Sequence, residues 1–178
     1  MVADPTGNQV LLGHKGAPWL RLTAQGRSAH GSRPDLGINA LARLADAAVR
    51  IHGYNDWPHS ETHGAATVNV GVFRAGTQPN LVPDHAELDI RTVPGFTSHQ
   101  AISAIRQLAG PDIDVDAVLD LSSVATDPDD SLVHTLAEAL RPADSGQSAQ
   151  YATYFTDASV LTAKLGSPAV ILYGPGDP

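Results

Sequence analysis

The clearest candidate for chemistry in this sequence is His30. It follows an alternating apolar strand and precedes Gly31, Ser32 and Pro34, so it lies on a loop held by a rigid scaffold, the usual setting of a ligand-contacting group. An imidazole donates or accepts a hydrogen bond near neutral pH. The alternative is that His30 is only a polar residue that closes a strand.

The elements around this loop predict one compact unit. A strand at 17–25 alternates apolar and polar residues, and a helix at 38–52 carries an apolar stripe at helical spacing. A loop at 53–64 follows, then strands at 66–73 and 81–93, a helix that Thr97 or Ser98 caps and that ends at 109, and a strand at 113–119. This order predicts an α+β, ferredoxin-like two-layer domain: a four-stranded antiparallel sheet with two helices on one face.

The remainder of the chain is different in pattern. A Pro- and Asp-bearing linker at 122–130 leads to helices predicted at 131–140 and 156–165, and the apolar run 169–173 is typical of a strand buried on both faces, as in a parallel sheet. No partner for that strand is evident in the sequence. Because turns follow closely on Met1 and close the chain at 174–178, we expect both ends to belong to a longer protein.

Composition excludes several classes of protein. The 178 residues include 19 acidic and 11 basic side chains, for a net charge of −8, which disfavours nucleic acid as a partner. Cysteine is absent, so any metal is held by His, Asp or Glu. No apolar run approaches the roughly 18 residues that cross a bilayer, and the first residues lack a signal-peptide pattern. We therefore expect a soluble, cytoplasmic protein without membrane contact.

Five segments resemble the zinc-dependent amidohydrolase and exopeptidase family that contains acetylornithine deacetylase, succinyl-diaminopimelate desuccinylase, aminoacylase and carboxypeptidase G. They occur in the family's order and cover nearly the whole chain: Ala3-Asp4-Pro5-Thr6; Gly26-Arg27-Ser28-Ala29-His30 with Asn39-Ala40; Gln78-Pro79-Asn80-Leu81-Val82-Pro83; Leu88-Asp89-Ile90-Arg91; and Phe155-Thr156-Asp157-Ala158 followed by Tyr173-Gly174-Pro175-Gly176.

The resemblance implies an architecture. In that family a ferredoxin-like lid that pairs two subunits interrupts a catalytic domain with two zinc ions and a glutamate base. Residues 1–14 would then be the end of the first catalytic segment, 15–120 the lid or dimerisation domain, and 121–178 a partial return to the α/β catalytic domain. Most metal ligands of the family lie outside this chain, so we expect two zinc ions in the full-length enzyme, none in these residues alone, and a homodimer.

The resemblance also assigns roles to six residues. Asp4 corresponds to a carboxylate that ligates one zinc, and His30 to the lid histidine that reaches into the active site of the partner subunit to stabilise the oxyanion. Asn80 and Arg91 correspond to substrate contacts, Arg91 clamping a carboxylate. Thr156 and Gly174 correspond to pocket-lining positions. The alternative to these functional roles is that the residues only form turns, lie on a solvated strand face or cap helices.

The predicted activity is hydrolysis of an amide bond in an N-acyl amino acid or small peptide at a dinuclear zinc centre, to which the lid supplies dimerisation and substrate contacts. The residues alone do not distinguish zinc from cobalt. The alternative from another class is a ferredoxin-like module that dimerises or binds a small ligand without catalysis.

Overall fold

The structure is a computed structural model that describes residues 1–74, 85–93, 96–140 and 150–177. Within these residues the strands form a four-stranded sheet, a five-stranded sheet and a two-stranded hairpin. The elements in chain order are β1 (Val2–Ala3), β2 (Leu11–His14), β3 (Ala17–Ala24), α1 (Ala40–His52), β4 (His59–Ser60), β5 (Gly64–Ala65), β6 (Thr67–Arg74), β7 (His85–Arg91), α2 (Ser98–Ala109), β8 (Ile113–Leu121), β9 (Val124–Ala125), α3 (Ser131–Leu140), β10 (Gln150–Ala152), α4 (Ala158–Lys164) and β11 (Leu172–Tyr173).

The four-stranded sheet, called the antiparallel sheet below, has the order β6-β7-β3-β8. Every neighbouring pair in it is antiparallel, and α1 and α2 cover one of its faces. The predicted ferredoxin-like α+β arrangement is therefore confirmed.

One apolar core joins these helices to the sheet. Alternate residues of β3 point inward, with Leu20 and Leu22 almost fully buried, because side chains of a strand alternate between its faces. They meet Leu44 and Ile51 of α1 and Ile105 of α2. Trp19 and Arg21 lie on the opposite, exposed face of the sheet.

Both helices begin where side chains satisfy free backbone groups. Asn39 Oδ1 accepts a hydrogen bond from Ala42 N at 3.1 Å, so α1 starts at Ala40 rather than at the predicted Ile38. Thr97 and Gln100 form a reciprocal capping box at the start of α2, as the Thr97 cap predicts.

The five-stranded sheet, called the mixed sheet, has the order β1-β11-β2-β10, and β9 also pairs with β2. The run at 169–173, predicted as a buried strand without an evident partner, has two partners and a shorter strand than predicted. β11 pairs with β1 in parallel and with β2 antiparallel, and only Leu172–Tyr173 of the run is strand, although Val170, Ile171 and Leu172 are all buried. Helices α3 and α4 lie close to their predicted bounds.

Other short elements have no counterpart in the predictions. The β4–β5 hairpin lies in the expected loop at 53–64, and β9 lies in the expected linker. None of the described helices is long and apolar enough to span a membrane. The location of the protein in the cell stays a prediction.

Candidate functional site

Asp4 and Gly174 lie against each other where β1 meets β11. The peptide N–H of Asp4 donates to Tyr173 O at 3.4 Å, and a Cβ atom on Gly174 would lie 2.5 Å from Asp4 O. Thr6 stabilises the same contact through two hydrogen bonds. Its N–H donates to Gly174 O at 3.1 Å, and its Oγ1 accepts from Gly174 N at 3.2 Å. These hydrogen bonds hold the two segments together, and the absence of a side chain at Gly174 permits their close approach.

Three effects act on the pKa of the Asp4 carboxyl group. Burial raises its pKa, His14 lowers it and Asp157 raises it again. Asp157 occupies the N-cap position of α4 but its side chain makes no capping hydrogen bond. The second carboxylate thus adds negative charge near Asp4, and a bound cation would offset that charge.

His14 is a buried histidine that sequence reasoning missed. Its Nδ1 lies 2.8 Å from Lys15 O, and since a carbonyl only accepts, the neutral ring carries its proton on Nδ1. Nε2 is buried and has no hydrogen-bond partner among the described residues. Burial lowers the pKa of His14, while the Lys15 carbonyl and Asp4 raise it. His14 closes β2, a strand too short to show periodicity, so no signal in the sequence indicates its burial.

Thr156 is buried at the start of α4. Its Oγ1 accepts a hydrogen bond from Ala158 N at 3.1 Å, and its carbonyl accepts from Ser159 N at 3.2 Å. These contacts hold the segment before α4 in place. The role of Thr156 in a substrate pocket stays a prediction.

Arg91 reaches from the antiparallel sheet to the segment before α4. It ends β7 in the antiparallel sheet, and its guanidinium carbon lies 5.2 Å from the ring centroid of Phe155, which precedes α4. The Phe155 ring also meets Trp19 of β3 edge to face, with centroids 5.9 Å apart. Residues 155–157 therefore link Arg91 on one side to the Asp4 carboxylate on the other.

His30 lies away from this group. The loop that carries it follows the Ala24 end of β3, and Gly16 lies at the other end of that strand. Reciprocal backbone hydrogen bonds of 3.0 and 2.8 Å between Arg27 and Ile38 close the loop. Eight strand residues span about 25 Å, so the loop of His30 lies about that far from the Gly16 end of β3, the end at which Arg91 lies. The sixth predicted residue, Asn80, lies outside the described residues.

The His30 ring is held in one tautomer. Its Nδ1 accepts from Ser32 N at 3.2 Å and lies 2.8 Å from Ser32 Oγ, while its carbonyl accepts from Arg33 N at 2.8 Å. Because Nδ1 accepts a backbone N–H, the neutral ring carries its proton on Nε2. The exposed side chain thus presents an N–H donor to whatever lies in front of the loop.

The described residues supply only part of a metal site. No three of their His, Asp or Glu side chains are grouped so as to hold a metal ion. Asp4 is the one carboxylate that the sequence analysis predicts as a metal ligand, and that role stays a prediction.

A further cleft lies apart from all of these residues. It has a volume of about 780 Å³ and opens between the end of α2 and the edge strand β8. None of the six predicted site residues lines it.

Comparison with known proteins decides the family. The profile of the family described as "Peptidase dimerisation domain" matches residues 12–116, more than half of the chain. The chain belongs to the peptidase dimerisation domain family. This confirms the predicted relationship to metal-dependent exopeptidases and amidohydrolases. The match includes the loop of His30 and the strand that ends in Arg91.

One relative of this peptidase dimerisation domain protein is a probable carboxypeptidase of Aspergillus clavatus. The two are 30% identical over 190 residues, which cover 97% of this chain and 43% of the relative. The chain thus spans less than half the length of that curated relative.

Solved structures share the fold. A metallo-carboxypeptidase of the M20 family from Sulfolobus solfataricus superposes with a TM-score of 0.69 at 17% identity, over 97% of this chain and 54% of that one. A dinuclear metal binding peptidase of the same family from Bacillus subtilis gives a TM-score of 0.61 at 16% identity, over 98% of this chain and 48% of that one. The match to each extends over both the antiparallel and the mixed sheet.

Proposed function

We propose that this chain is the lid and part of the catalytic domain of a metal-dependent hydrolase that cleaves an amide bond of an N-acyl amino acid or small peptide. The lid comprises residues 15–120, and residues 1–14 and 121–178 belong to the catalytic domain. The observation that carries the proposal is the linkage of Arg91, residues 155–157, Asp4 and Gly174 where the two sheets meet. Family membership supports it.

In this proposal Asp4 is one ligand of a dinuclear zinc centre in the complete protein. Its partly buried carboxylate, which feels the negative charge of Asp157, is suited to a divalent cation, and carboxylate oxygen is a usual zinc ligand. Bound metal ions would supply the Lewis acidity that polarises the scissile carbonyl.

Arg91 binds the free carboxylate of the substrate. A guanidinium presents two parallel N–H groups that match a carboxylate, and stacking on Phe155 holds its plane in one orientation. Asn80 contacts the substrate from the neighbouring lid segment. The substrate is therefore an amide with a free carboxylate beside the cleaved bond.

The lid forms a homodimer through α1 and the edge strand β6. The outward face of α1 exposes Leu41 and Val49, although its other face is fully covered. Strand β6 is at one end of the sheet order, and one of its backbone edges has no strand partner among the described residues. An open strand edge is a template for pairing with a second copy. A two-fold axis there places the same surface on both subunits.

Dimerisation gives His30 its role. About 25 Å of strand separates its loop from the end of β3 at which Arg91 of its own subunit lies, so we assign His30 to the active site of the other subunit. Its Nε2–H donates a hydrogen bond to the oxyanion of the tetrahedral intermediate, and one such donor contributes roughly a hundredfold in turnover.

The test is an assay of the full-length protein. Purified enzyme is offered a panel of N-acyl amino acids and dipeptides, before and after chelation and after zinc is restored, and metal content is measured for wild type and Asp4→Asn. We expect hydrolysis only of substrates that have a free carboxylate. Chelation should abolish this activity and added zinc should restore it. The Asp4→Asn variant should bind less metal than the wild type. Ligand binding or dimerisation without any hydrolysis would instead favour the non-catalytic module.

A further inference from the structure

Two aromatic rings accompany Arg91 at the meeting of the two sheets. Trp19 and Phe155 meet edge to face at an interplanar angle of 82°, and Phe155 lies beneath the guanidinium. Trp19 projects from the sheet face opposite the helices and is 41% exposed, while Phe155 and Arg91 are half-buried. The three side chains form one row in which Phe155 lies between Trp19 of β3 and Arg91 of β7.

The position of this row relates it to the proposed reaction centre. Phe155 directly precedes Thr156 and Asp157, and Asp157 is close enough to Asp4 to raise the pKa of its carboxyl. Tyr154, on the other side of Phe155, donates its hydroxyl to Pro5 O at 2.8 Å. The Phe155 backbone is therefore tied to the turn of Asp4, and its side chain is tied to Arg91.

We infer that Trp19 and Phe155 determine specificity for the side chain beside the substrate carboxylate, and that they select a large apolar or aromatic side chain. The inference rests on the proposed function, in which Arg91 holds that carboxylate. A carboxylate binds in the plane of a guanidinium, so the substituents on its α-carbon lie next to the ring on which the guanidinium stacks.

The chemistry of the row suits this role. Phe155 covers one face of Arg91, which fixes the direction of the two N–H groups without occupying their edge. Trp19 leaves part of its indole surface open, and an indole offers a rigid apolar contact at low cost in conformational entropy. A glycine or alanine substrate would leave this surface in water, whereas a phenylalanine or leucine substrate would cover it.

The experiment compares two substrates with the same acyl group, N-acetylphenylalanine and N-acetylalanine, in the full-length enzyme. We expect the wild type to favour the phenylalanine substrate in kcat/KM by at least about tenfold. Trp19→Leu should lower that preference about tenfold while changing kcat/KM for N-acetylalanine less than about threefold. Phe155→Leu should lower the preference and also lower kcat/KM for both substrates, because the Phe155 ring orients the Arg91 guanidinium. Phe155→Tyr, which preserves the ring, should retain the preference.

Val118→Ala is the matched control, because Val118 is an exposed apolar residue of β8 outside the row, and it should leave both substrates unchanged. An active wild type without preference, or both leucine variants with wild-type preference, would overturn this inference and leave the proposed function standing. A wild type that hydrolyses neither substrate nor any other amide of the panel would overturn both. A ratio of two substrates separates specificity from damage, since general loss of structure lowers both rates alike.

Discussion

Gly16 and Thr92 exchange both of their backbone hydrogen bonds, with N–O distances of 2.8 Å from Gly16 N and 3.1 Å from Thr92 N. The pair lies where the chain passes from the mixed sheet into the antiparallel sheet. A Cβ atom on Gly16 would collide with Thr92 Oγ1 and lie 2.7 Å from Leu121 O. The segments at Gly16, Thr92 and Leu121 therefore meet at a point that has no space for a side chain on residue 16.

Gly16→Ala should destabilise the protein by about 1–3 kcal/mol, the usual cost of overpacking. Urea denaturation of the purified chain measures the change. Gly31→Ala is the matched control, because a Cβ atom at Gly31 meets nothing within 4 Å, and it should change the free energy of unfolding by less than about 0.5 kcal/mol. Equal stability of the two variants would contradict close packing at the crossing.

Asn39→Ala should remove about 1 kcal/mol of stability, because Asn39 Oδ1 no longer accepts from Ala42 N at the start of α1. Asn39→Asp keeps an acceptor at that position and should stay within a few tenths of a kcal/mol of the wild type. Thermal denaturation followed by circular dichroism distinguishes the two. If both substitutions cost the same, the side-chain cap contributes nothing.

Stability should fall below pH 6.5 through His63. Burial lowers its pKa, the hydrogen bond from Nε2 to Val124 O at 3.1 Å raises it, and His14 and Lys15 lower it. Near pH 6.5 His63 thus binds a proton in the unfolded chain more readily than in the folded chain. Its contribution to stability is therefore complete above pH 6.5 and is lost as the pH falls toward the lower pKa that His63 has in the folded chain.

The measurement is urea unfolding between pH 5 and 8 for wild type and His63→Gln. The wild type should lose up to about 1.4 kcal/mol more per pH unit than the variant in that window. His59→Gln, at an exposed histidine of β4 in the same hairpin, serves as the control substitution. Parallel pH curves for wild type and His63→Gln would remove His63 from the acid sensitivity.

Val49→Asp should convert the proposed dimer to monomer. Val49 is 71% exposed on the outward face of α1, and a carboxylate placed there on both subunits would bury two like charges across a two-fold axis. Val118→Asp, at a residue 52% exposed on the opposite edge strand, should not change the assembly. Sedimentation velocity of the chain and both variants at several concentrations measures the oligomeric state. A dimeric Val49→Asp protein would exclude this face of α1 as the dimer interface.

The sequence indicated the antiparallel sheet and its helices well because their signals are local. The apolar stripe of α1, the Thr97 cap of α2 and the alternation in β3 each lie within one element. It did not indicate β1, β2 or β10, which have two to four residues. Such strands are too short for periodicity, and β1 pairs with β11 near the other end of the chain.

The candidate site shows the same division. The sequence proposed Asp4, Arg91 and Gly174 through family resemblance, and their roles stay predictions. Phe155 beneath Arg91, Asp157 beside Asp4 and the buried ring of His14 were not found as site features, because each depends on a contact between segments far apart in the chain. Only the folded structure reveals such contacts.

The most direct test of the account combines two inactive full-length variants. In the proposed dimer, each active site uses Asp4 of one subunit and His30 of the other. His30→Ala and Asp4→Asn should each lose most activity when alone. Unfolded together and refolded as a mixture, they should regain about a quarter of wild-type activity, since half of the dimers are mixed and each of those has one intact site. A mixture no more active than the two variants apart would contradict the reach of His30 into the partner subunit.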